Sequence, residues 1–283
     1  MVNMDLTISS IPPFVKAAKA MTRLIPPVWR LSGISNRIIK PLVCSFIPGA
    51  LFRSTIWNYR GRDIEMILDP SDCVGGNLFF IPQMYDRWER KFLTNRLPKA
   101  GVFVDVGSNI GAYALFAAEI VGESGKVIAF EAATENFQLL RKNIEINGKN
   151  SVIAAYQIGI SDKKETLRLG LNRQGNRGAN SFLKPEGETE EVQCYSLHEA
   201  LQMADVKKID VLKLDIEGFE YPVLKRFFDD IDGAPQLKPA YILVEIDGGP
   251  QTAERKQQLR SLISDSGYRI LRERENTLFE LAV

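Results

Sequence analysis

The chain has 283 residues, 45% of them hydrophobic and 25% charged, which excludes a wholly disordered, collagenous or disulfide-rich protein. The net charge of +1 is unevenly spread. Residues 6–62 hold nine Lys or Arg and no Asp or Glu, so with Asp5 the first 62 residues carry +8 and the remainder −7. A basic arm before an acidic body argues against wrapping by nucleic acid, and for an anionic surface met by the arm.

In chain order, residues 14–25 place Phe14, Ala17, Ala18, Met21, Leu24 and Ile25 on one helical face and Lys16, Lys19 and Arg23 on the other, with Pro26-Pro27 as the stop. The pattern fits a helix packed on the body and a membrane-surface helix equally. Residues 28–52 are apolar, basic and broken by Pro and Gly. Residues 54–59 and 63–68 read as a hairpin around Arg60-Gly61-Arg62, and a helix is expected over 84–96. From Val102 strands and helices alternate. Strands are expected at 102–106, 126–130, 152–158, 209–214 and 241–244, with helices at 110–121 (capped by Ser108 or Asn109), 134–147, 217–228 and 252–265. Runs 268–272 and 277–281 are too close for a crossover helix and must pair antiparallel.

This predicts an α/β fold, a Rossmann-like, mostly parallel seven-stranded sheet with an antiparallel edge strand, preceded by a basic N-terminal helical extension. The expected layout is an extension over 1–52, a hairpin and helix lead-in over 53–100, and the main domain over 101–283 with an insertion at 163–206. Within the insertion, 165–171 and 191–197 alternate as a hairpin does, and Ser196 to Glu199 reads as a capping box.

The cysteines Cys44, Cys73 and Cys194 are far apart and form no C-x-x-C, as expected of a reduced, cytosolic chain. The early apolar stretch 41–52 is too short to span a bilayer, and no charged leader precedes an apolar core, so no signal peptide is expected. The single histidine, His198, leaves a zinc site of the His/Cys type short of ligands, and no G-x-S-x-G elbow is present for a serine hydrolase.

Two segments carry chemistry. The first is Asp105-Val106-Gly107-Ser108-Asn109-Ile110-Gly111, between a strand and a helix. Gly107 permits a tight turn and Gly111 close packing of helix on strand, while the helix start offers N–H groups. Asn109 stands where a dinucleotide site has its middle glycine. Asp105 would repel a pyrophosphate and attract a cation, which disfavours an NAD-dependent oxidoreductase. Glu131, at the end of the next strand, suits two ribose hydroxyls. Asp162 fits an adenine amino group or a turn. The second segment is Lys213-Leu-Asp215-Ile-Glu217-Gly-Phe-Glu220, whose carboxylates crowd the carboxyl end of the fourth strand, with Glu245 ending the fifth beside them. Charges so placed call for a cation, a proton or hydroxyl groups, or for helix capping by Asp215 and Glu217.

Residues 103–113, 127–131, 159–162 and above all 209–224 resemble the FkbM family of S-adenosylmethionine-dependent methyltransferases. The resemblance runs over roughly residues 80–250. Tyr85-Asp86 stands where the family has Tyr-Glu, and His198 where it often has Asp. It implies methyl transfer to a hydroxyl of a sugar, glycolipid or natural product. Asp105, Gly107, Asn109 and Gly111 would then hold the methionine part of the cofactor, Glu131 the ribose and Asp162 the adenine. Asp215 and Glu217 would be catalytic, directly or through a divalent metal, with Asn180, Ser181 and Glu245 on the acceptor side. The expected partners are a small-molecule or lipid-linked saccharide acceptor and no nucleic acid; the Asn/Asp-Pro-Pro-Tyr typical of DNA amino-group methylases is replaced by Asp215-Ile-Glu-Gly. The basic arm makes a peripheral contact with the inner face of the membrane the matching expectation for residues 1–52, and a non-catalytic cofactor- or membrane-binding protein is the other reading left open.

Overall fold

A computed structural model describes residues 7–24, 40–47, 49–172, 175–183, 185, 187–247, 252–274 and 276–282. Ile25, the Pro26-Pro27 stop and residues 28–39 lie outside them. The chain divides into two compact units, one of residues 1–92 with 172–178 and one of 93–171 with 179–283.

In the first unit, α1 (Pro13–Leu24) and the short α2 (Lys40–Cys44) precede the strands β1 (Phe52–Tyr59) and β2 (Arg62–Leu68). The strands pair antiparallel with Tyr59 opposite Arg62. Arg60 and Gly61 both have positive φ, 51° and 87°, as a two-residue hairpin turn requires. Two readings of the sequence need correction. The face of α1 that packs is Val15, Ala18, Lys19 and Thr22, with Val15 and Thr22 fully buried, whereas Phe14 and Met21 are exposed. Lys19, expected toward solvent, bonds Ser54 and lies 4.4 Å from the Phe79 ring centroid. A helix that the sequence hid, α3 (Cys73–Phe80), is capped by Asp72, which accepts from the Gly75 N–H. The helix expected from residue 84 begins later, as α4 (Arg87–Arg96), because Asp86 is left-handed with φ 43°.

The second unit runs β3 (Val102–Val106), α5 (Ala112–Val121), β4 (Lys126–Glu131), α6 (Thr134–Ile146), β5 (Ile153–Gln157), β6 (Gly159–Ser161), β7 (Glu165–Gly170), β8 (Thr189–Ser196), α7 (Leu197–Met203), β9 (Val211–Leu214), α8 (Glu220–Asp230), β10 (Tyr241–Glu245), α9 (Ala253–Asp265), β11 (Tyr268–Arg272) and β12 (Asn276–Leu281). Its main sheet has seven strands in the order β11-β12-β10-β9-β3-β4-β5. All neighbours pair in parallel except β12, which runs antiparallel to both β10 and β11. Strands β3, β4, β9 and β10 are buried almost throughout, as near-continuous apolar runs covered on both faces must be.

The insertion forms a second sheet. β7 and β8 pair antiparallel as the alternation implied, and β6 joins β8 in parallel. The chain therefore leaves the main sheet after Gln157. Ser196 and Glu199 form the expected capping box at the start of α7, and the His198 ring lies 3.2 Å from the Gln202 side-chain amide. Among the described residues no helix is long and apolar enough to cross a membrane.

Candidate functional site at the sheet reversal

The chain builds outward from β3 to β5 and then crosses back to β9 and β10. An open α/β sheet leaves a crevice at such a reversal, beyond the carboxyl ends of the strands. Here those ends carry Asp105 on β3, Glu131 on β4, Asp215 just after β9 and Glu245 on β10.

The loop after β3 is shaped by its glycines. Gly107 has φ 80°, and a Cβ there would lie 1.9 Å from the Asp215 carbonyl oxygen. Gly111 has φ 93°, and a Cβ there would meet the Leu140 side chain at 2.6 Å. The close approach that Gly107 allows is thus first of all to the backbone after β9, whose Asp215 N–H donates to the Val106 carbonyl at 3.0 Å. The caps differ from expectation too: Gly111, not Ser108 or Asn109, stands at the helix cap, and no side chain accepts there. The N–H groups are already engaged. Those of Gly107 and Ser108 donate to the Phe130 carbonyl, that of Gly111 to Ser108 and that of Asn109 to Glu131. Asn143 secures the loop from α6 by donating to the Ile110 carbonyl at 2.9 Å.

Glu131 is buried and its carboxylate organises the neighbourhood. One oxygen accepts from the Asn109 N–H at 2.7 Å and the other from the Ala133 N–H at 2.9 Å. The Asn136 side chain donates to it as well, so of the about four acceptor positions of a carboxylate one is left for a hydroxyl. Burial pushes its pKa up to about 7, against the pull of these three hydrogen bonds. Asp162 lies in the bend between β6 and β7, where the Ser161 hydroxyl donates to it at 3.2 Å.

Asp105 is fully buried, and neither of its carboxylate oxygens accepts a hydrogen bond among the described residues. Its charge is met by Lys213, which the strand register places opposite it, with Nζ 3.5 Å from Oδ1. Burial raises the Asp105 pKa and Lys213 opposes that shift. Lys213 is itself buried, reaches Asp215 at 3.2 Å and lies 4.8 Å from the Tyr113 ring centroid. Sequence reading gave Lys213 no role, although one charge inside a four-residue apolar strand is a signal, since lysine is almost never buried unless paired.

The three carboxylates after β9 separate by role. Glu220, not Asp215 or Glu217, holds the turn before α8, whose N-cap Phe219 has no side-chain cap bond. Glu220 is fully buried and accepts from the Ile216 N–H at 2.9 Å and the Gly218 N–H at 3.3 Å. Glu217 sits in the left-handed region with φ 52°. Asp215, Glu217 and Glu245 each offer a carboxylate oxygen, and these lie within 4.8 Å of one another. Burial, and next the charges of Asp215 and Glu217, lift the Glu245 pKa to about 9. Near neutral pH the cluster therefore holds a proton among its carboxylates.

The loop candidates reach the same segment. Ser181 pairs with Gly170 through the backbone, and its hydroxyl donates to the Glu217 carbonyl at 3.1 Å. Phe182 packs edge-on against Phe219, with ring centroids 6.0 Å apart. Asn180, beside them in sequence, is half-buried.

A doubly wound sheet of this order, with one antiparallel strand and an acid-glycine loop at its reversal, defines the class of S-adenosylmethionine-dependent methyltransferases. The family model described as the methyltransferase FkbM domain matches residues 105–270. Methyltransferase sdnD of Sordaria araneosa is 26% identical over 210 residues, covering 63% of this chain and 77% of that one. Methyltransferase 1 of Beauveria bassiana is 24% identical over 155 residues, 47% of this chain and 61% of that protein. The crystal structure of the methyltransferase FkbM from Methylobacillus flagellatus aligns with a TM-score of 0.44 at 13% identity, over 89% of this chain and 62% of that one. The chain belongs to the FkbM methyltransferase family.

Proposed function

We propose that this methyltransferase acts on a hydroxyl group of a sugar, a glycolipid or another natural product, including lipid-linked saccharides met at the cytoplasmic face of a membrane. The observation that carries the reading is the meeting of Asp215, Glu217 and Glu245 at the reversal of the sheet, beside the Asp105 and Glu131 strand ends. A hydroxyl, unlike an amine, must lose its proton as it attacks, and a carboxylate is suited to take it.

The residues present fit the cofactor. Asp105 is a buried carboxylate whose described partner is Lys213, and it suits the cationic, methionine side. Gly107, Asn109 and Gly111 form the loop beside it, Glu131 has an acceptor position for a ribose hydroxyl, and we assign Asp162 to the adenine. Bound S-adenosylmethionine supplies an electrophilic methyl group on a sulfonium. With the cofactor bound, Asp215 would take the proton of the acceptor hydroxyl, and Glu217 and Glu245 would orient the acceptor. Asn180 and Ser181 line the acceptor side. In-line displacement depends chiefly on such positioning. The cluster's oxygens also suit a divalent metal, a hard cation, which Asp215, Glu217 and Glu245 would hold.

The test is single-turnover methylation with labelled donor across hydroxyl and amine acceptors. Asp215→Asn keeps the shape of the side chain and should lower turnover by about 100-fold while leaving cofactor affinity nearly intact. Near-wild-type turnover, or methylation of amines only, overturns the reading. Loss of turnover on chelation would assign the cluster to a metal rather than to direct proton removal.

A further inference from the structure

We infer that the outward face of α1, with Phe46 beyond α2, is a surface that inserts into the interface of an anionic lipid bilayer. The inference deepens the membrane placement proposed above and does not depend on the chemistry of methyl transfer.

The first observation is which side of α1 packs. Val15, Ala18, Lys19 and Thr22 recur at the spacing of one helical face and turn inward. Thr22 donates to the Phe80 carbonyl at 2.7 Å. That choice leaves the other apolar stripe outside. Phe14 is 48% exposed and Met21 61% exposed, and Ala17 between them is also exposed. From the neighbouring segment Leu42 is 63% exposed and Phe46 70% exposed. The Phe14 and Phe46 rings meet edge-on at 6.0 Å, joining the two segments into one apolar ridge. Scattered single exposed apolar residues are normal. Four large ones on two adjoining segments mark an interaction surface.

The second observation is charge, and it selects the occupant. Residues 6–62 carry nine cations and no anion; of these Lys19 turns inward and Arg53 pairs with Glu65, while Lys16 is exposed on α1. A second copy would bring the same positive segment against this one, which like-charge repulsion opposes. An anionic headgroup layer neutralises the cations and takes the aromatic and aliphatic side chains into the acyl boundary, the arrangement of an interfacial amphipathic helix.

The experiment is co-sedimentation of the full chain with phosphatidylcholine vesicles, with and without phosphatidylglycerol. The expected result is binding only to the anionic vesicles, weakened by salt. Phe14→Ser with Phe46→Ser should lower the partition coefficient by about tenfold or more, with an unchanged melting temperature because both side chains are exposed. Should that variant unfold, Met21→Ser with Leu42→Ser tests the same ridge. No binding to anionic vesicles, or equal binding by a folded ridge variant, overturns the inference. So does a wild-type dimer that the substitutions dissociate while lipid has no effect, because the ridge then belongs to a second copy. Sedimentation reads protein, not turnover, so its failure leaves the methyl-transfer reading standing. A ridge variant that still methylates a water-soluble acceptor separates the two.

Discussion

Replacing Glu131 tests the cofactor site most directly, because its geometry fixes both the size and the pH dependence of the effect. The carboxylate accepts from the Asn109 and Ala133 N–H groups and from the Asn136 side chain, which leaves one acceptor position for a hydroxyl. Hydrogen bonds to a charged partner contribute about 1.5–3 kcal/mol, so Glu131→Ala should weaken S-adenosylmethionine binding roughly ten- to a hundredfold. Glu131→Gln should weaken it too, since its amide turns an N–H toward one of the two backbone N–H groups. The acid dependence has a definite sign. Burial lifts the pKa from 4.5 to about 7, so between those values the folded, cofactor-free protein binds more protons than the unfolded chain, and this group's contribution to stability falls as pH rises. A cationic ligand that needs the carboxylate reverses that balance. Its dissociation constant should therefore rise below pH 7 with a limiting slope of about tenfold per pH unit, and the slope should vanish in Glu131→Gln. Calorimetric titration on both sides of pH 7, with circular dichroism to confirm folding, measures all of this. Equal affinities in folded wild type and variant, or the same slope in both, would refute the reasoning.

Lys213→Met should destabilise the fold by about 3–5 kcal/mol, because it leaves the buried Asp105 carboxylate without its cation. The loss should shrink in an Asp105→Asn background, and a denaturant double-mutant cycle without coupling would contradict the pairing. Glu220→Ala removes the acceptor of the Ile216 and Gly218 N–H groups. It should lower stability by about 1–3 kcal/mol, read from urea unfolding, and an unchanged midpoint would show that water serves those groups as well.

The main sheet was legible because its strands are short apolar runs between helical stretches, and burial on both faces requires that composition. The antiparallel pair followed from the few residues between 272 and 277. The misses have physical causes. Helix α3 contains Gly75-Gly76, which weak propensity argues against, yet Gly75 is needed there because a Cβ would lie 2.3 Å from the Asp69 carbonyl oxygen. β6 is three residues long and belongs to another sheet, so periodicity alone merged its approach with β5. In α1 two faces can both be read as apolar, and only tertiary contact decides which one packs. At the site, the types and order of the acids were visible, but their division of labour was not. Asp215, Glu217 and Glu220 look alike in sequence, and the left-handed pair Glu217-Gly218 shapes the turn whose N–H groups Glu220 accepts.

That division bears on why so many carboxylates can share one place. Uncompensated, they would repel one another and weaken the fold, and a purely structural cluster would be at least as stable if apolar. Several find a remedy here. Glu220 is held by backbone N–H groups, Asp105 and Asp215 share Lys213, and the pKa of Glu245 is raised. Asp215, Glu217 and Glu245 are left with oxygens within 4.8 Å of one another and a proton among them near neutral pH. Adding one positive charge, as an acceptor's proton or as a metal ion that displaces the cluster's own proton, relieves the repulsion, whereas removing that proton increases it. The electrostatics therefore favour taking up a cation here, which is what the proposed hydroxyl acceptor would require. Lys213 links that demand to Asp105, on the strand whose loop begins the proposed cofactor site.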